Sequence, residues 1–101
     1  MTIRSERLDQ ETMILFLSGR LDIDSSSEFE LELSKLIDGT IDIIFDLKGL
    51  YYISSSGLHV LLQTRKMMTA NNRKLIIRNI GGMVKNVFEM AGFNTIFTLE
   101  E

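Results

Sequence analysis

Cysteine is absent from the 101 residues, so neither a disulfide nor a thiolate metal site can be built. Proline is absent too, and no linker, repeat or low-complexity tract divides the chain. A single histidine, His59, leaves little room for a histidine-rich metal site or a histidine-based catalytic triad. Basic residues do not dominate. Eleven Lys and Arg stand against 14 Asp and Glu, a formal charge of −3, which gives no footprint for nucleic acid. No apolar run approaches the roughly 18 residues that span a bilayer. The opening residues, Met1 to Arg7, contain no apolar signal core. The expectation is a cytoplasmic protein that engages neither membrane nor nucleic acid.

What is present is an ordinary globular composition, 45% hydrophobic and 25% charged. It suits one domain over residues 1–101 with a single core. Periodicity switches repeatedly along the chain. Thr2 to Leu8 reads as a weak strand and Thr12 to Leu17 as a stronger one, with a hairpin between them. Ser25 to Ile37 places Phe29, Leu33, Leu36 and Ile37 at helical spacing, and Ser25 with Glu28 fits a capping box for which Asp24 competes. Ile41 to Leu47 is an apolar strand ended by Asp46. A second helix is expected from Gly57 to Ala70, a short buried strand over Lys74 to Arg78, and a third helix over Met83 to Ala91. Gly92 supplies a left-handed stop, and Thr95 to Leu99 reads as a last edge strand.

The order β-β-α-β-α-β-α-β predicts an α/β domain with a mixed, mostly parallel sheet and right-handed crossovers. Strands two, three and four should then end at one edge. The loops Gly19 to Asp24, Lys48 to Ser56 and Asn79 to Gly82 are expected to share it, which puts Asp22 and Ser56 on a common surface.

The densest signal lies between Asp46 and Leu62, where Ser54-Ser55-Ser56 precedes Gly57-Leu58 at a helix start. Two readings stand side by side. Serine is a preferred N-cap, and a hydroxyl at a helix N-terminus can also carry a phosphate where backbone N–H groups and the dipole tolerate charge. Asp22 likewise reads either as a loop aspartate bonding nearby backbone or as a contact residue. Other constellations are thin. Asp22, Asp24, Asp38, Asp42 and Asp46 lack the spacing of a carboxylate metal loop. Gly81-Gly82 reads as a tight turn, His59 as a surface residue, and no nucleophile–base or acid–base pair is visible. No catalytic residue, metal or cofactor is expected.

The string Asp46-Leu47, a short spacer, then Ser55-Ser56-Gly57-Leu58 resembles the signature of bacterial anti-sigma factor antagonists. These are single-domain members of the STAS (sulphate-transporter and anti-sigma-antagonist) family. Gly19-x-Leu21-Asp22 and the segment Val84 to Gly92 resemble further parts of the same pattern, so the likeness covers essentially the whole chain. The resemblance implies a STAS-like fold and a non-enzymatic binding protein. Its partners would be an anti-sigma factor serine kinase and a serine phosphatase, with ATP and magnesium belonging to the kinase. It also implies that Ser56 is the phosphoacceptor and that Asp22, Ser55 and Gly57 contact the partner. The family usually has aspartate where Ser54 stands, which leaves Ser55 as a second candidate acceptor. It also keeps open a constitutively binding STAS subunit of a signalling or lipid-transport assembly.

Overall fold

Alternating apolar residues from Thr12 onward build the centre of a five-stranded sheet, seen in a computed structural model that describes residues 1–100. Chain order is β1 (Thr2–Arg7), β2 (Thr12–Leu21), α1 (Ile23–Leu36), β3 (Asp42–Ile53), α2 (Ser55–Ala70), β4 (Leu75–Arg78), α3 (Gly82–Met90) and β5 (Thr98–Glu100). The strands lie side by side in that same order. β1 pairs antiparallel with β2, and the other neighbours are parallel.

Sequential parallel strands joined by right-handed crossovers place every connecting helix on one face of the sheet. The core has that one-sided form. Met13, Leu15, Leu17, Ile43, Phe45, Leu47, Leu75 and Ile77 point into one cluster with Phe29 of α1, Leu61 and Met68 of α2, and Val84 and Phe88 of α3. Ile14 and Ile44, one residue out of phase, are buried but lie outside the cluster, as period-two alternation requires.

Four details differ from the sequence expectation. β2 and β3 both run beyond Leu17 and Leu47. β3 reaches Ile53 because two bulges absorb its irregular pattern, one where Phe16↔Asp46 steps to Ser18↔Gly49, the other where Gly19↔Leu50 steps to Arg20↔Tyr52. The N-cap of α1 is Asp22, not Asp24 or Ser25, since β2 stays extended to Leu21. α2 starts at Ser55 rather than Gly57. After the left-handed Gly92 (φ 76°), a 3-10 turn over Phe93–Thr95 delays the last strand to Thr98. That turn swings Phe93 and Phe97 onto Phe88, with ring centroids 5.6 and 5.7 Å from it.

Candidate docking site

Two parallel helices that share a sheet face begin at the same end of it, and their caps define the site. At α1, Asp22 Oδ1 accepts the Ser25 backbone N–H at 3.0 Å, while Ser25 Oγ accepts the Asp22 N–H at 2.9 Å. This is a capping box built one turn earlier than Ser25 with Glu28 would give. The Ser25 N–H and the Ser25 hydroxyl, whose Oγ lies 3.0 Å from Oδ1, hold the Asp22 carboxyl below its ordinary value, with Arg20 Nε, 3.8 Å away, adding to the effect. Arg20 in turn stacks on Tyr52, its guanidinium carbon 4.1 Å from the ring centroid.

At α2, Ser54 Oγ accepts the Gly57 N–H at 3.2 Å. The two helix starts are tied together: the Ser54 N–H donates to the Leu21 carbonyl at 2.9 Å. Gly57 is buried at this junction, where a Cβ would lie 2.6 Å from Leu21 Cγ and 3.0 Å from Ile53 Cγ1. Its bare backbone is what lets α2 approach the ends of β2 and β3. It lies beneath the surface on which Ser55 and Ser56 stand.

The serines of the two starts therefore divide by chemistry. Ser25 and Ser26 donate to backbone carbonyls, Ser26 to that of Asp22 at 2.6 Å, and Ser54 caps α2. Ser27, Ser55 and Ser56 have no hydrogen bond from their hydroxyls to another described residue. Ser55 is exposed and Ser56 half-buried. Ser56 lines an open cleft of about 350 Å³ with Ser26, Ser27 and Glu30 of α1 and Ser55, His59 and Val60 of α2. Around the start of α1 two large apolar side chains stand exposed among the charged Arg20, Asp24 and Glu28: Ile23 is 72% exposed and Tyr51, on the second bulge of β3, 62%. Among the described residues no cluster of three metal-ligating side chains occurs.

The sequence brought the loops after β2 and β3 together correctly. The third loop is elsewhere. β4 is four residues long and registers only with Ile43 to Asp46, so Asn79 to Gly82 lies beside Asp46, well short of the end of β3. There Asn79 Nδ2 donates to Asp46 Oδ2 at 2.9 Å, and the Lys48 N–H donates to Oδ1 at 3.0 Å. Asp46, only 5% exposed, thus fastens the first bulge to the end of β4 and does not end its strand. Sequence reasoning also passed over Ser27 and Glu30. Their spacing from the α1 cap was a usable signal once α1 and α2 were known to start side by side.

Comparison with known proteins gives a consistent picture. The family model for the STAS domain matches residues 4–101. A Bordetella bronchiseptica protein, provisionally named the anti-sigma factor antagonist BtrV, is 34% identical over 86 residues, covering 84% of this chain and 74% of its own. The anti-sigma-B factor antagonist of Staphylococcus aureus is 29% identical over 86 residues, covering 84% and 80%. Among solved structures, the anti-sigma factor antagonist SpoIIAA in its unphosphorylated form superposes with a TM-score of 0.81 at 23% identity, covering 97% of this chain and 87% of that one. The phosphorylated form of SpoIIAA from Bacillus gives 0.76 at 22% identity, covering 99% and 91%. At such identities the structural likeness is one of fold.

Proposed function

This chain belongs to the STAS domain family, and on that premise we propose that it is an anti-sigma factor antagonist switched off by phosphorylation of Ser56. In the active state the surface around the starts of α1 and α2 docks an anti-sigma factor that is also a serine kinase. Asp22 and Ser55 touch that partner, while Gly57 holds the turn beneath them. The kinase moves the γ-phosphoryl group of ATP to Ser56 Oγ. The new O–P bond forms as the bond to ADP breaks, and the hydroxyl proton leaves to a base on the kinase. A serine phosphatase reverses the change. The names of the relatives support the antagonist role.

One observation narrows the acceptor: the Ser55 and Ser56 hydroxyls are uncommitted and line an open cleft, whereas that of Ser54 is spent on capping. Between the two, the choice of Ser56 rests on the family pattern, in which the acceptor stands directly before Gly57-Leu58. The energetics favour a switch of binding over a switch of folding. A phosphoserine carries roughly −1.5 to −2 charges. On the first turn of a helix that charge is favourable by about 0.3–1 kcal/mol. Inside a docked interface, like-charge contact and desolvation cost several kcal/mol, and each 1.4 kcal/mol is about tenfold in affinity. The interface term wins.

The test is incubation with the host's serine-kinase anti-sigma factors and ATP, followed by phosphosite mapping by mass spectrometry. Phosphate on Ser56 is the expected result. Tight binding without modification would favour the constitutively docking STAS subunit instead. Ser56→Asp should give a folded protein whose partner affinity, read by calorimetry, falls at least about tenfold, or 1.4 kcal/mol.

A further inference from the structure

Ser56 and His59 lie three residues apart on α2, a spacing that makes their side chains neighbours on one helix face. Both line the cleft between α1 and α2. The His59 ring is exposed, and among the described residues it forms no ion pair or hydrogen bond. Ser27 enters the same cleft from α1, exposed and with its hydroxyl unpaired. Building on Ser56 as the modified residue, a phosphate there would bring acceptor oxygens into a space whose walls present two donors, an imidazole N–H and a hydroxyl. One charge opposes it, the Glu30 carboxylate on the α1 wall. The other charges on the two helices lie outside the cleft lining: Asp24, Glu28, Glu32 and Lys35 on α1, with Asp22 at its cap, and Arg65 and Lys66 on α2.

We propose that this cleft is an intramolecular receptor for the phosphate on Ser56, in which His59 is the cationic partner and Ser27 a second donor. His59 then acts as a positioning residue. While protonated it draws the phosphate back along α2, and once neutral it leaves the phosphate free to repel an approaching anti-sigma factor or to enter the phosphatase. Glu30 keeps the attraction weak enough for release.

Phosphoserine placed at position 56 during translation gives the full chain in modified form without a kinase. The ring protons of His59, followed by NMR from about pH 5 to about pH 9, should titrate at least roughly half a unit higher in the modified chain than in the unmodified one. The phosphorus resonance should titrate higher in His59→Gln than in the unsubstituted phosphoprotein, with Ser27→Ala shifting it the same way by less. His59 is exposed, so the Gln variant should keep the fold, as amide spectra will show. Equal His59 midpoints with and without phosphate, or a phosphate midpoint indifferent to His59→Gln, would overturn the proposal. That failure is separable from failure of the switch itself, which would appear as unchanged affinity of the modified chain for the anti-sigma kinase.

Discussion

Ser54 Oγ accepts the Gly57 N–H, one of the α2 backbone donors that has no carbonyl within the helix to bond. Ser54→Ala removes that acceptor and should cost about 1 kcal/mol of unfolding free energy in urea. Ser54→Asp should restore the loss, because a carboxylate caps equally well and gains from the dipole. Asp22 gives a pH signature at the other cap. Its folded pKa lies below the ordinary value of 3.8, chiefly through the Ser25 N–H, so its stabilising contribution is present above 3.8 and is lost as pH falls through the lower folded value. Asp22→Asn should therefore flatten the fall in thermal midpoint on the acid side of about pH 4. Some fall should remain, because Asp38 is depressed in the same direction by Thr40. That a serine run opens a helix was readable in the sequence; which serine caps it was not. Three adjacent serines are chemically equal caps, and only the extended backbone of Ser54 (ψ 170°) selects among them.

Where β3 meets α2, the packing leaves no room for a side chain at Gly57. An added methyl would sit 2.6 Å from Cγ and 2.9 Å from Cδ2 of Leu21, a residue with no exposed surface and nowhere to move. Replacing glycine by alanine inside a helix ordinarily gains up to about 1 kcal/mol, whereas overpacking a buried contact costs about 1–3 kcal/mol. The clash should prevail. Gly57→Ala is expected to lower stability by roughly 1–2 kcal/mol in urea titration, and partner binding should weaken as the start of α2 is pushed away from Leu21 and Ile53. The sequence disclosed this close approach through the glycine itself. It hid the strand leading there, because Leu47 and Leu50 are both buried but three residues apart, which breaks period-two alternation. A bulge at Lys48 restores the inward phase, and no local pattern announces a bulge.

Taken whole, the molecule separates what holds it together from what it offers a partner. The alternation of strands and helices made the sheet and its single helical layer readable from the sequence. It overreached at β4, whose four residues stop beside Asp46 and leave Asn79 to Gly82 away from the proposed docking surface, and at the last strand, which starts at Thr98 and not Thr95. The aromatic and aliphatic cluster lies between that layer and the sheet, with Phe29, Phe45 and Phe88 fully enclosed. On the opposite face no helix is expected, and Arg4 covers Phe16 at 4.2 Å instead. The Ser56 hydroxyl belongs to neither surface. It stands at the end of the helical layer, in a cleft whose only apolar lining residue is Val60. A charge added there should not disturb the enclosed apolar contacts, so the phosphorylated and unmodified chains should unfold in urea with the same slope, since the slope reports surface exposed on unfolding. Their free energies should agree within about 1 kcal/mol, the scale of a helix-terminus charge. A steeper loss in the modified chain would mean that the modification acts by loosening the fold, and the affinity change would then have to be reread as unfolding.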